Sequence, residues 1–89
     1  MEGHSHISPD VLARYAADAA SEVTGVQPKQ RGGAKVVGDA VQVHVVVDYG
    51  ASIPAVAADV QQRVADYLEQ MADARPTAVH VVVDDVQRR

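Results

Sequence analysis

The side chains with the widest chemical range are four histidines, His4, His6, His44 and His80, two of which precede aspartates at the same spacing. Val43 to Asp48 and Val79 to Asp84 both read VHVVVD. Imidazole is a good zinc, copper or nickel ligand. On adjacent strands in register, His44 and His80 would lie about 5 Å apart across the ladder, close enough to share an ion. Asp48 and Asp84 stand roughly 13 Å further along at strand rise, too far to complete the same shell. Further ligands would have to come from His4, His6 or another subunit. Two ligands rarely suffice, so no metal site is expected, and His44 and His80 are the only candidates for one.

Nucleophilic chemistry has less support. Ser8 and Ser52 stand where helices begin and are better read as caps, while Ser5 and Ser21 have no evident His or Asp partner. Gly32-Gly33 does not follow a strand as a phosphate loop would. Asp84 and Asp85 are neighbours in a strand pattern, so their carboxylates are expected on opposite faces and not as an acid/base couple. The absence of cysteine excludes a disulfide, a thiol nucleophile, a thiolate zinc site and an iron–sulfur cluster, and leaves the redox compartment open. The expectation is a protein without catalytic residues or cofactor.

The elements that must position these residues can be read from spacing. Ser8-Pro9-Asp10 is a helix start: the hydroxyl accepts an orphan N–H, proline is tolerated in the first turn, and the acid sits at the positive end. Leu12, Tyr15, Ala16, Ala19 and Val23 then recur at helical spacing, with Gly25 as a stop, which predicts a first helix over about Pro9 to Thr24. Gln27 to Gly33 (QPKQRGG) reads as a loop. Ala34 to Val37 and Val41 to Asp48 are β-branched runs separated by Gly38, Asp39 and Ala40, as in a tight hairpin. Ser52-Ile53-Pro54 opens a second helix with the stripe Val56, Val60, Val64, Tyr67 or Leu68, and Met71, ending near Asp73. About Thr77 to Val86 forms the last strand.

The predicted fold class is α+β, in the order helix, strand, strand, helix, strand, with a three-stranded mixed sheet and both helices on one face. The crossover makes the second and third strands parallel, either adjacent or with the first strand between them. Val43, Val45 and Val47 then point to the helices along with Val79, Val81 and Val83. The opposite face is left open and carries His44, Val46, Asp48, His80, Val82 and Asp84, a half-apolar surface suited to a protein partner or to self-association.

Composition bounds the rest. Eighty-nine residues of 9.4 kDa make one domain. Residues 1–6 (MEGHSH) are read as a polar leader and residues 7–89 as the domain. Val and Ala supply 33 of the 42 hydrophobic positions and there is no Phe or Trp, so the core is built from small side chains. Burying a valine contributes only about 1.5 kcal/mol, which leaves such a core thin and makes a second copy or a partner useful. The formal charge of -4 and the missing stacking residues disfavour nucleic acid. An RNA-binding or metabolic-regulator domain is the alternative reading, and only Lys29, Arg31 and Lys35 speak for it. No run reaches the roughly 18 apolar residues of a membrane span, and no export signal is evident.

The run VVVDYGASIPAVAADVQQRV, Val45 to Val64, resembles the signature of the bacterial alkaline shock protein and general stress protein family, most specifically in Tyr49-Gly50 followed by Ser52-Ile53-Pro54. Ile7 to Val26 is similar to that family's first helix, and Val79 to Val86 to its final strand. The resemblance implies a cytoplasmic, non-enzymatic protein linked to cell-envelope homeostasis, held near the membrane in some members by a membrane-embedded partner. It implies no catalytic residues. Tyr49, Gly50, Ser52, Ile53 and Pro54 are explicable as architecture, a sharp strand exit followed by a capped helix start.

Overall fold

The structure, a computed structural model, describes residues 8–27 and 33–88. The leader, with His4 and His6, and the loop residues Lys29, Arg31 and Gly32 lie outside the described residues. Five elements follow the order read from the sequence: α1 (Pro9–Ser21), β1 (Ala34–Val37), β2 (Ala40–Asp48), α2 (Ile53–Ala72) and β3 (Val79–Gln87). The sheet order is β1-β2-β3, with β1 antiparallel and β3 parallel to β2, so the parallel pair is adjacent.

Both helices begin as their sequences dictate. The Ser8 hydroxyl accepts the Val11 N–H at 3.3 Å and the Ser52 hydroxyl accepts the Ala55 N–H at 3.4 Å, each with a proline in the first turn. α2 ends at Asp73, which adopts the left-handed conformation at φ 53°. α1 stops at Ser21, short of the predicted Thr24, because the following residues serve the sheet. Val26 forms an isolated antiparallel bridge to Val47, with the Gln27 N–H donating to the Val46 carbonyl and the Asp48 N–H to the Gly25 carbonyl, both at 2.8 Å. β1 is only four residues long and pairs with the first half of β2. Val26 covers part of the remainder, so the segment after α1 substitutes for missing strand.

The hairpin between β1 and β2 has Gly38 at φ 63° in the first central position of a two-residue turn, the pattern of a II′ turn. Thr77 fixes the entry to β3: its N–H donates to the Asp39 carbonyl at 2.9 Å and its hydroxyl reaches the Asp39 side chain at 3.1 Å. That contact sets the β3 register against the turn rather than against the matching VHVVVD run.

β2 alternates without exception, with Val41, Val43, Val45 and Val47 buried and the intervening residues half-exposed. These valines meet Ala16, Ala19 and Ala20 of α1 and Val56, Val60, Val64 and Leu68 of α2. Small residues on α1 let it pack closely, and the T-shaped pair of Tyr15 and Tyr67, 5.9 Å between centroids, closes one side. Val79 completes the buried set, while Val81 and Val83 are partly buried against it. The core is therefore the valine and alanine layer read from composition, held between two helices and one sheet face.

Candidate interaction surface

With both helices on one side, no element of the described residues covers the other sheet face. From β2 it presents Gln42, His44, Val46 and Asp48, from β3 His80, Val82 and Asp84, and from β1 Lys35 and Val37. Val37 is 55% exposed, whereas Val46 and Val82 are half-buried by their neighbours. Every residue expected on the open face is on it.

Their mutual placement differs from an in-register pairing of the two VHVVVD runs. His44 lies opposite Val82 and His80 opposite Gln42, an offset of two residues set by the Thr77 anchor. The expectation that His44 and His80 oppose one another is corrected: two residues of offset separate them by roughly 6.6 Å along the strand direction. The register then slips between Val45 and Val46, so that Val46 faces Asp85 and Asp84 is the extra residue of a bulge. Offset and bulge together bring Asp84 to His44, with Nδ1 and Oδ1 3.0 Å apart. Strand spacing alone puts Asp84 beyond reach of this histidine. Both side chains keep partial exposure, 31% and 41%.

The bulge also breaks the simple alternation expected of Asp84 and Asp85. The Asp85 carboxylate turns back on its own chain, accepting the Val86 N–H at 2.8 Å and the Gln87 side-chain amide at 3.1 Å. Asp48 is engaged by the Gln27 side chain, which ties the end of β2 to the residues after α1. Among the described residues no group of three or more His, Asp or Glu side chains is placed to hold a metal ion.

The Tyr-Gly and Ser-Ile-Pro residues divide in role. Gly50 takes φ 92° with open space around it, so conformation alone asks for glycine, and Ser52 caps α2. Tyr49 and Ile53 are 64% and 41% exposed. The Tyr49 ring lies 4.7 Å beneath the Arg88 guanidinium, a cation–π contact, and its N–H donates to the Gln87 carbonyl. Gly25 carries a structural demand beyond that of a helix stop: it adopts φ 99°, and an added Cβ would stand 2.8 Å from a Val56 methyl.

An open groove of about 640 Å³ lies between α2 and the start of β3, lined by Gln61, Gln62, Arg75, Thr77 and His80 among others. Arg75 is held there by Glu69 and, at 3.8 Å, by Asp66. No helix of the described residues is long and apolar enough to cross a membrane.

Residues 31–88 match the family model of the alkaline shock protein 23 family, described as having a cell envelope-related function. The match takes in the whole sheet and α2. No curated protein matches the chain. A solved structure titled as a histidine-to-alanine variant of MamM-CTD is similar in fold, with a TM-score of 0.55 at 20% identity over 90% of this chain and 100% of that one.

Proposed function

The chain belongs to the alkaline shock protein 23 family, which has a cell envelope-related function, and from that premise we propose that it is a non-catalytic interaction protein. In this reading it works in the cytoplasm in envelope stress homeostasis, self-associates, and binds a protein partner on the open sheet face. That partner is membrane-anchored and carries the domain to the membrane periphery. In this reading residues 7–89 are the single domain.

The observation that carries the reading is a three-stranded sheet with both helices on one face. Val46 and Val82 sit at the middle of the face that no described element covers, flanked by His44, Asp48, His80 and Asp84. A half-apolar centre within a polar surround is the composition of a protein-binding patch. On this face His44 bonds to Asp84 and Asp48 to the Gln27 amide, so these groups are engaged with one another instead of converging on a cavity, which favours contact over catalysis.

The experiment is a tagged pull-down from native cells, with membrane and soluble fractions separated, comparing wild type with Val46→Thr/Val82→Thr. The reading expects a membrane-fraction partner that the double variant loses while keeping its fold. Recovery of RNA-associated proteins alone, or of a soluble metabolic enzyme alone, would replace it with a different function on the same fold.

A further inference from the structure

Among the described residues β3 has a neighbouring strand on one side only. The Val41 N–H donates to the Ala78 carbonyl at 3.0 Å, which turns the backbone groups of the even-numbered residues toward β2. Those of Val79, Val81 and Val83 therefore point away from the sheet. At one end of this outer edge the Val79 carbonyl is taken by the Gln61 side-chain amide at 3.0 Å. At the other, the Val86 N–H is met by Asp85. Between these two caps, the N–H and C=O groups of Val81 and Val83 face outward with no partner among the described residues.

We propose that this short open edge pairs with the same edge of a second copy, antiparallel about a twofold axis at Val82, to give one continuous sheet. Val81 then opposes the partner's Val83 and exchanges both hydrogen bonds with it, and the twofold repeats the pair. Val82 meets its own counterpart on the open face. On either side of it His80 opposes the partner's Asp84, so that both ends of the ladder carry a complementary pair. Shifting the register to set Val81 against itself would require the Val79 carbonyl, which Gln61 occupies, and would set His80 against a valine.

The edge is self-complementary, which is why the occupant is a second copy rather than an unrelated strand. Two chains of formal charge -4 repel in general. A register with local hydrogen-bonding complementarity offsets that, and His80 opposite Asp84, an imidazole against a carboxylate, supplies it. The bulge at Asp84 ends the ladder. The opposite edge of the sheet, β1, is short and carries exposed Lys35. Pairing therefore closes at two copies rather than propagating. The inference deepens the self-association in the proposed function and places the two open faces side by side.

The test is sedimentation equilibrium of the full chain over a wide concentration series, with amide exchange read at Val81 and Val83. Wild type should dimerise, and both amides should gain protection as the dimer fills. His80→Glu opposes like charges across the twofold and should weaken the dimer by at least about tenfold, with His80→Glu/Asp84→Lys restoring it. Val83→Pro removes an outward N–H that the β2 ladder does not use, and should give a folded monomer. Should that variant not fold, the charge pair alone decides. A wild-type monomer at all concentrations would overturn self-association altogether. A dimer whose affinity ignores His80→Glu, or whose Val81 and Val83 amides stay unprotected, would overturn the edge pairing and leave the partner-binding reading standing.

Discussion

The imidazole of His44 and the carboxylate of Asp84 meet at 3.0 Å, at the point where the parallel β2–β3 register slips. The extra residue of a bulge has no ladder partner, and its side chain is free to bond across the strand. Here it bonds the histidine that an in-register pairing of the two VHVVVD runs would set out of its reach. Because both side chains are partly exposed, the pair positions the bulge more than it stabilises the fold. His44→Ala and Asp84→Asn should each cost about 1 kcal/mol or less. Urea unfolding of both singles and the double checks this, and a coupling well above that range would show a pair that carries stability.

Leu68→Ala addresses the core. Leu68 is 1% exposed and is the largest fully buried side chain in a layer otherwise made of valine and alanine. Truncation should cost about 2–5 kcal/mol, a large share of the stability of so small a domain. The urea midpoint should fall sharply. A shift under about 0.5 kcal/mol would mean that the layer repacks freely.

Two glycines at positive φ should respond differently to alanine. At Gly38 nothing lies within 4 Å of an added Cβ, so only the left-handed conformation is penalised, by about 1–2 kcal/mol. At Gly25 the same atom meets Val56 at 2.8 Å, and the site also holds the bridge from Val26 to Val47. Gly25→Ala should therefore be the more destabilising by at least about 1 kcal/mol, measured by thermal or urea unfolding. Equal effects would show that α2 yields at its first turn.

Metal binding can be tested with zinc or nickel titrated calorimetrically into protein lacking residues 1–6. With His80 opposite Gln42 and His44 bonded to Asp84, no stoichiometric binding heat is expected. Heat lost on His44→Ala or His80→Ala would establish a site on this face.

Element types, their order and the core face were legible because each rests on local chemistry. Ser8-Pro9 and Ser52-Ile53-Pro54 mark the helix starts, a Gly-Asp turn marks the hairpin, and period-two valines mark β2. Register was not legible, because repeated VHVVVD runs suggest a pairing that the Thr77–Asp39 contact overrides. The bulge was equally hidden: two adjacent aspartates read as ordinary alternation until one of them is left outside the ladder. The role of Val26 as substitute strand had only the shortness of β1 to betray it. For the open face, membership followed from alternation alone, while its internal contacts depended on the register.

The most direct test of the interaction face is photo-crosslinking in living cells, with a photoreactive residue at Val46 on the open sheet or at Gln62 on the exposed side of α2. Crosslinks from position 46 to a membrane-fraction protein, lost with Val82→Thr and absent from position 62, are the predicted result. The same partner captured from position 62 and not from position 46 would place the interaction on the helices and contradict the account.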